Sequence, residues 1–186
     1  RVIGVKGKSV DGSEKEFRGN LILGADGPNS IISKKVGLYQ MDMDHTAVGI
    51  RCYYENVKDL TDQIELHYVE EINPGYFWIF PSGKNRANIG VGLLKSIVKK
   101  ESRNLSEIMI NIINSDNFKY RFSDATLLEK PTGWNLPLGS IKRKNHGEGF
   151  LLLGDAAGLV DPFTGEGIGN AMVSGQIAAE IAAQAK

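Results

Sequence analysis

The spacing of apolar residues changes along the chain, and each change predicts a different element. Val2–Val5 and Lys15–Phe17 flank the turn dipeptide Asp11-Gly12, which predicts a hairpin. Leu21–Leu23 is a short apolar run closed by Gly24, read as a strand. Pro28-Asn29-Ser30 then opens a helix over Ser30–Val36, stopped by Gly37.

From residue 45 to 94 the period is two. Val48, Ile50, Cys52 and Tyr54 alternate with Ala47, Gly49, Arg51 and Tyr53, and Ile64, Leu66 and Tyr68 alternate with Glu65 and His67. Tyr76–Phe80 and Arg86–Leu94, joined by Pro81–Asn85, predict a hairpin with a longer loop. Tyr76, Trp78 and Phe80 share one strand face; on the partner, Gly90 and Gly92 share a face opposite to Ala87, Ile89, Val91 and Leu93. An even pairing sum sets the aromatics against the glycines. The result is a trough with a glycine floor and an aromatic wall, suited to a long apolar ligand. The same pairing also serves stability alone, as rings covering cross-strand glycines.

The period then becomes helical. Leu105, Ile108, Met109, Ile112 and Ile113 form one apolar stripe, with Asn104 or Ser106 as cap and Ser115-Asp116 as stop, and the stripe reads as core. Residues 125–139 return to strand, interrupted by Pro131, Gly133 and Pro137, and Lys142–Gly149 reads as a solvated polar loop. Phe150–Leu153 is a buried strand and Ile168–Lys186 a helix. Between them lie Gly154-Asp155, Pro162 and Gly165-Glu166-Gly167. In an open α/β sheet, the carboxyl end of such a strand, ahead of a helix N-terminus, is where a ligand binds. The order is an α/β piece, an antiparallel block and a second α/β piece. The expected organisation is one domain made of residues 1–42 and 140–186, interrupted by a second at 43–139.

Composition narrows the classes. With 22 basic and 22 acidic residues, the chain of 186 residues gives no electrostatic reason to invoke nucleic acid. The single cysteine, Cys52, excludes an internal disulfide, and His45, His67 and His146 show no metal-ligand spacing. No apolar run approaches the ~20 residues of a membrane-spanning helix. The chain opens on Arg1, already in a strand pattern, and stops within a helical one, so it reads as a segment of a longer protein.

Two carboxylates end apolar strands. Asp155 is placed to accept hydrogen bonds from ligand hydroxyls, since the helical pattern begins too late for it to be a cap; Asp26, before Gly27, reads equally as a helix cap. Glu166 sits in the first turn of a helix, where the dipole favours an acid, and no proton donor stands out among Glu166, Tyr76 and His67. Gly165–Asn170 is a broken G-x-G-x-x-G, with Asn170 in place of the third glycine, and is rejected as a pyrophosphate loop.

Three motifs together resemble the geranylgeranyl reductase family, within the flavoprotein superfamily of p-hydroxybenzoate hydroxylase. Gly24–Ser30 (GADGPNS) is similar to that superfamily's second nucleotide-binding motif, and Gly154–Met172 (GDAAGLVDPFTGEGIGNAM) to its flavin-binding motif. Tyr76–Pro81, eight residues, then Gly90-Val91-Gly92 is similar to the Y-x-W-x-F-P…G-x-G signature of the reductase branch. The resemblance implies an α/β (α+β) fold: a partial doubly wound FAD-binding domain interrupted by an antiparallel-sheet substrate domain. It implies an FAD-dependent enzyme that reduces double bonds of a geranylgeranyl or other isoprenoid lipid. FAD would contact Gly154, Asp155 (on the ribityl chain), Pro162, Gly165, Glu166, Gly167 and Ile168 from one motif, and Asp26 and Gly27 from the other. The prenyl chain would contact Tyr76, Trp78, Phe80, Pro81, Gly90 and Gly92. Electrons would come from NADPH or a ferredoxin-like carrier, and the setting would be cytoplasmic, with peripheral membrane contact open to an enzyme of lipid substrates. The family's opening G-x-G-x-x-G segment is not in this sequence, so FAD binding by this segment alone is expected to be weak or absent. The alternatives are another enzyme of the superfamily (an aromatic hydroxylase, a halogenase or a quinone-linked dehydrogenase) and a non-enzymatic isoprenoid binder.

Overall fold

A computed structural model describes residues 1–184 of the chain. It divides into two compact units, one of residues 1–41 with 136 onward, the other Asp42–Asn135.

In the first unit, β1 (Gly4–Lys8) and β2 (Glu14–Arg18) pair antiparallel as the hairpin around Gly12, whose φ of 84° is one that glycine tolerates best. β3 (Ile22–Gly24) leads into α1 (Ile31–Lys35). Ser30 caps α1 by accepting from the Ser33 N–H, and Gly37, at φ 73°, follows the helix end.

The second unit is one antiparallel sheet with helices on one face. β4 (Thr46–Glu55), β5 (Glu65–His67), β6 (Tyr76–Pro81), β7 (Arg86–Leu94) and β8 (Thr126–Leu127) stand in the order β5-β6-β7-β4-β8. β9 (Thr132–Pro137) also pairs with β4. Cys52, Phe77, Ile79, Ile89, Val91 and Leu93 point to the covered face, where they meet Leu105, Met109, Ile112 and Ile113 of α3 (Leu105–Asn114). Each such side chain contributes about 1.5–3 kcal/mol on burial. The Asn104 side chain caps α3, accepting from the Ser106 and Glu107 N–H groups. A further helix, α2 (Lys95–Lys100), follows β7 directly and is not foreshadowed by the apolar pattern, because its six residues hold only two apolar side chains.

The chain then returns to the first unit through β10 (His146–Gly147) and β11 (Phe150–Leu152), a short 3-10 turn (Gly154–Ala157) and α4 (Ile168–Gln184). β11 pairs parallel with β3, in register Phe150–Ile22, Leu151–Leu23 and Leu152–Gly24, and antiparallel with β10. The two strands are packed so closely that a side chain on Gly24 would press on Leu152 and Ile32. Lys142–Gly149 is more ordered than a solvated loop. Beyond the β10 pairing, the half-buried Arg143 guanidinium donates to the carbonyls of Leu138 and Gly158, tying this segment to the turn after β11. No described helix is long and apolar enough to cross a membrane.

Candidate functional site

The parallel pairing of β3 with β11 brings the two strand-end motifs side by side, with the Leu153 N–H donating to the Gly24 carbonyl at 2.9 Å. Their carboxylates then diverge in role. Asp26 is fully engaged: Oδ1 accepts from the Ser30 hydroxyl at 2.6 Å, and Oδ2 from the backbone N–H of Ile31 at 2.6 Å and of Ile32 at 3.1 Å. Partial burial pushes its pKa up, but these hydrogen bonds outweigh that and hold it below the usual carboxylate value. Asp26 therefore shapes the Gly27 turn and the start of α1.

Asp155 is half-buried and, among the described residues, makes no side-chain hydrogen bond or ion pair. Burial alone pushes its carboxyl above the usual range. A lone desolvated carboxylate is unfavourable unless something donates to it. It lies over Gly167, whose missing side chain leaves the room it occupies.

The helix start beside Asp155 is built by main-chain bonds. Gly154, at φ 51°, lets the turn approach α4 so closely that an added Cβ would meet Ala171 at 2.9 Å, and its N–H donates to the Ser174 hydroxyl at 3.1 Å. The Asn170 amide donates to the Leu159 carbonyl at 2.8 Å. The residue that breaks the glycine fingerprint is thus a staple between helix and loop. Asp161 closes the Pro162–Gly167 segment. Its Oδ1 accepts from the Phe163 and Thr164 N–H groups and the Thr164 hydroxyl, and its own N–H donates to the Glu166 carbonyl at 2.7 Å. Pro162 and Phe163 are left at the surface, and Ile168 is exposed. Glu166 caps α4, its Oε1 accepting from the Gly169 N–H at 2.8 Å.

In the second unit, the register is the even-sum one: Tyr76 lies opposite Gly92 and Trp78 opposite Gly90. The floor, however, is not bare. The Trp78 indole fills the space over Gly90, where a Cβ would collide with the ring and with the Ile50 carbonyl. Its Nε1–H donates to Asn88 Oδ1 at 2.8 Å. Tyr68, Tyr76, Trp78 and Phe80 form a continuous row, successive ring centroids standing 6.1, 5.9 and 5.9 Å apart. The furrow expected between the strands is therefore a half-exposed aromatic pavement on glycine, with Pro81 at its end. Arg51, opposite Gly90 on β4, flanks it, ion-paired with Glu129 and set over the Tyr53 ring. His67 does not reach this face. It pairs in register with Phe77, bonds Glu65 at 2.9 Å and packs edge-on against Phe118.

Residues 45–133, which lie within this second unit, match the geranylgeranyl reductase catalytic domain. The whole chain is 35% identical to digeranylgeranylglycerophospholipid reductase 1 of Methanopyrus kandleri, covering 100% of the chain and 48% of that protein. The chain belongs to the geranylgeranyl reductase family. Reductase 2 of Methanococcoides burtonii is likewise 35% identical, over 94% of the chain and 41% of its own length. The chain thus spans about half the length of the curated relatives it matches. Among solved structures, a geranylgeranyl bacteriochlorophyll reductase-like protein of Thermoplasma acidophilum superposes with a TM-score of 0.87 at 25% identity, over 97% of this chain and 45% of that one. A flavin-dependent brominase superposes with a TM-score of 0.78 at 23% identity, over 99% of this chain and 47% of that one, and shows the fold alone. In this family member, sequence reasoning singled out Tyr76, Trp78 and Phe80 of the ring row, but not Tyr68, and the strand-end carboxylates. It missed the roles of Asn88, Arg143, Asp161 and Asn170, each of which acts through a few hydrogen bonds and leaves no periodic trace.

Proposed function

We propose that the protein is an FAD-dependent oxidoreductase that reduces isolated double bonds in the prenyl chains of an isoprenoid lipid, a digeranylgeranyl glycerophospholipid being the first substrate to try. The observation that carries this reading is the aromatic pavement of Tyr68, Tyr76, Trp78 and Phe80 on glycine strands, inside the segment that matches the reductase catalytic domain. A row of rings whose flanking charge, Arg51, is paired with Glu129 suits a chain that offers only methyl groups and alkenes.

The first unit fits FAD. Asp155 holds a half-buried carboxylate with no protein donor, as a polyhydroxylated chain requires; Gly154, Gly165 and Gly167 put backbone rather than side chain ahead of α4, where Ile168, exposed, opens the helix. Pro162 and the Asp161-closed loop keep that backbone rigid. Asp26 and Gly27 support the site by fixing the neighbouring turn. Reduced flavin supplies a hydride equivalent, and an isolated alkene needs a proton besides. Tyr76 lies on the pavement itself and is the proton donor to test first, ahead of Glu166, which caps α4, and His67, which bonds Glu65. The electron source in this reading is NADPH or a ferredoxin-like carrier, and the lipid substrate brings the protein to a membrane surface peripherally.

The test uses the full-length enzyme, reduced chemically and incubated with a geranylgeranyl glycerophospholipid. Product mass rising by pairs of hydrogens is expected; unchanged lipid, or oxygen or halogen incorporated into another substrate, refutes the reading.

A further inference from the structure

We infer that Asn88 is a positioning residue for prenyl-chain recognition, the acceptor that keeps the Trp78 indole satisfied when an apolar chain covers it. The inference rests on the proposed prenyl substrate.

Asn88 is not part of the aromatic–glycine signature. It lies opposite Phe80 on β6 and opposite Tyr53 on β4, two residues before Gly90 on the same face. Trp78 is held there by three features at once. Gly90 leaves the space for the ring, Phe80 stacks beside it at an interplanar angle of 29°, and Asn88 Oδ1 receives its N–H at 2.8 Å. The first two accept the indole in either flip. The third selects one, because indole nitrogen is a donor only and needs an oxygen. The same constraint fixes the Asn88 amide with its oxygen toward the ring.

The consequence appears on ligand binding. In the free protein the half-exposed indole N–H could bond water as well as Asn88. A hydrocarbon chain laid on the pavement removes that water and brings no acceptor. Without Asn88 the covered N–H would be stranded, and its desolvation cost would fall on substrate binding. Asn88 thus makes a polar-edged ring behave as an apolar one toward the substrate, while keeping its plane fixed before binding.

The test is a double-mutant cycle in the full-length enzyme with prenyl lipid as substrate. Asn88→Leu raises KM about tenfold, the effect of one unpaired donor, with kcat within about twofold. Trp78→Phe removes the N–H, so in that background Asn88→Leu leaves KM unchanged. Asn88→Ala removes the same acceptor with no added bulk, raises KM to a similar extent, and serves if Asn88→Leu does not fold. An unchanged KM in Asn88→Leu, a loss confined to kcat, or a KM effect that persists in the Trp78→Phe background overturns the inference while leaving the reductase reading intact. Failure of the wild-type enzyme to reduce prenyl lipid overturns both.

Discussion

Asp155 Oδ1 stands 3.2 Å from the place a side-chain carbon on Gly167 would take. The carboxylate is thus seated against bare backbone at the start of α4, with burial raising its pKa. A carboxyl whose folded pKa lies above its unfolded one makes the fold less stable as pH rises through that interval. Asp155→Asn should therefore raise the melting temperature of the flavin-free full-length enzyme at neutral pH. It should also weaken FAD binding by roughly 10- to 100-fold, the loss of a charged hydrogen-bond acceptor. Thermal melts and flavin titration of the same variant check both signs together.

Gly90→Ala should destabilise the second unit by about 1–3 kcal/mol, because the added carbon overlaps the Trp78 ring and the Ile50 carbonyl, and only the ring can move. Gly92→Ala should cost less, since its Cβ would meet only Trp78, at 3.6 Å. Urea unfolding of the two variants ranks them.

Arg121 grips Glu65 with two bonds, of 2.6 and 2.8 Å, and donates as well to the carbonyls of Lys58 and Asp59. The guanidinium, and secondarily His67, hold the Glu65 pKa below its ordinary value despite partial burial. A depressed carboxylate pKa gives stability that is complete above the ordinary Glu value and is lost as pH falls through the folded value. Arg121→Met should cost about 1–3 kcal/mol at neutral pH, and the deficit should shrink in acid below pH ~4. Denaturation measured across that range tests it.

Glu166→Gln should keep turnover within about twofold, because a neutral amide oxygen still caps α4. Steady-state rates with prenyl lipid check this. A loss of several orders of magnitude would instead give Glu166 a role in the chemistry.

Period and punctuation carried most of the fold. The Leu105–Ile113 stripe, capped by Asn104 of the two candidates Asn104 and Ser106, the Gly37 stop and the alternation through β4, β6 and β7 all form as their patterns predict, since each reflects a local rule. The site was legible to the extent that it uses the same rules: strand-end carboxylates before glycine turns, and aromatics paired with glycines. What alternation could not show is that the Trp78 ring would fill the space over Gly90, because pairing fixes the face and not the rotamer. Arg143 escaped notice for another reason. A single arginine in a polar loop looks solvated until the carbonyls of Leu138 and Gly158 converge on it.

The parallel seam between β3 and β11 joins residues from opposite ends of the sequence, with the whole of the second unit strung between them. Left unfolded, that intervening chain would make closure of the seam entropically slow. The unit between them is contiguous and has its own core, so it can collapse first and bring its two ends within reach. Folding then has a direction. The sheet of the second unit is expected to assemble early, and the turn that carries Asp155 to take shape only in the last, long-range step.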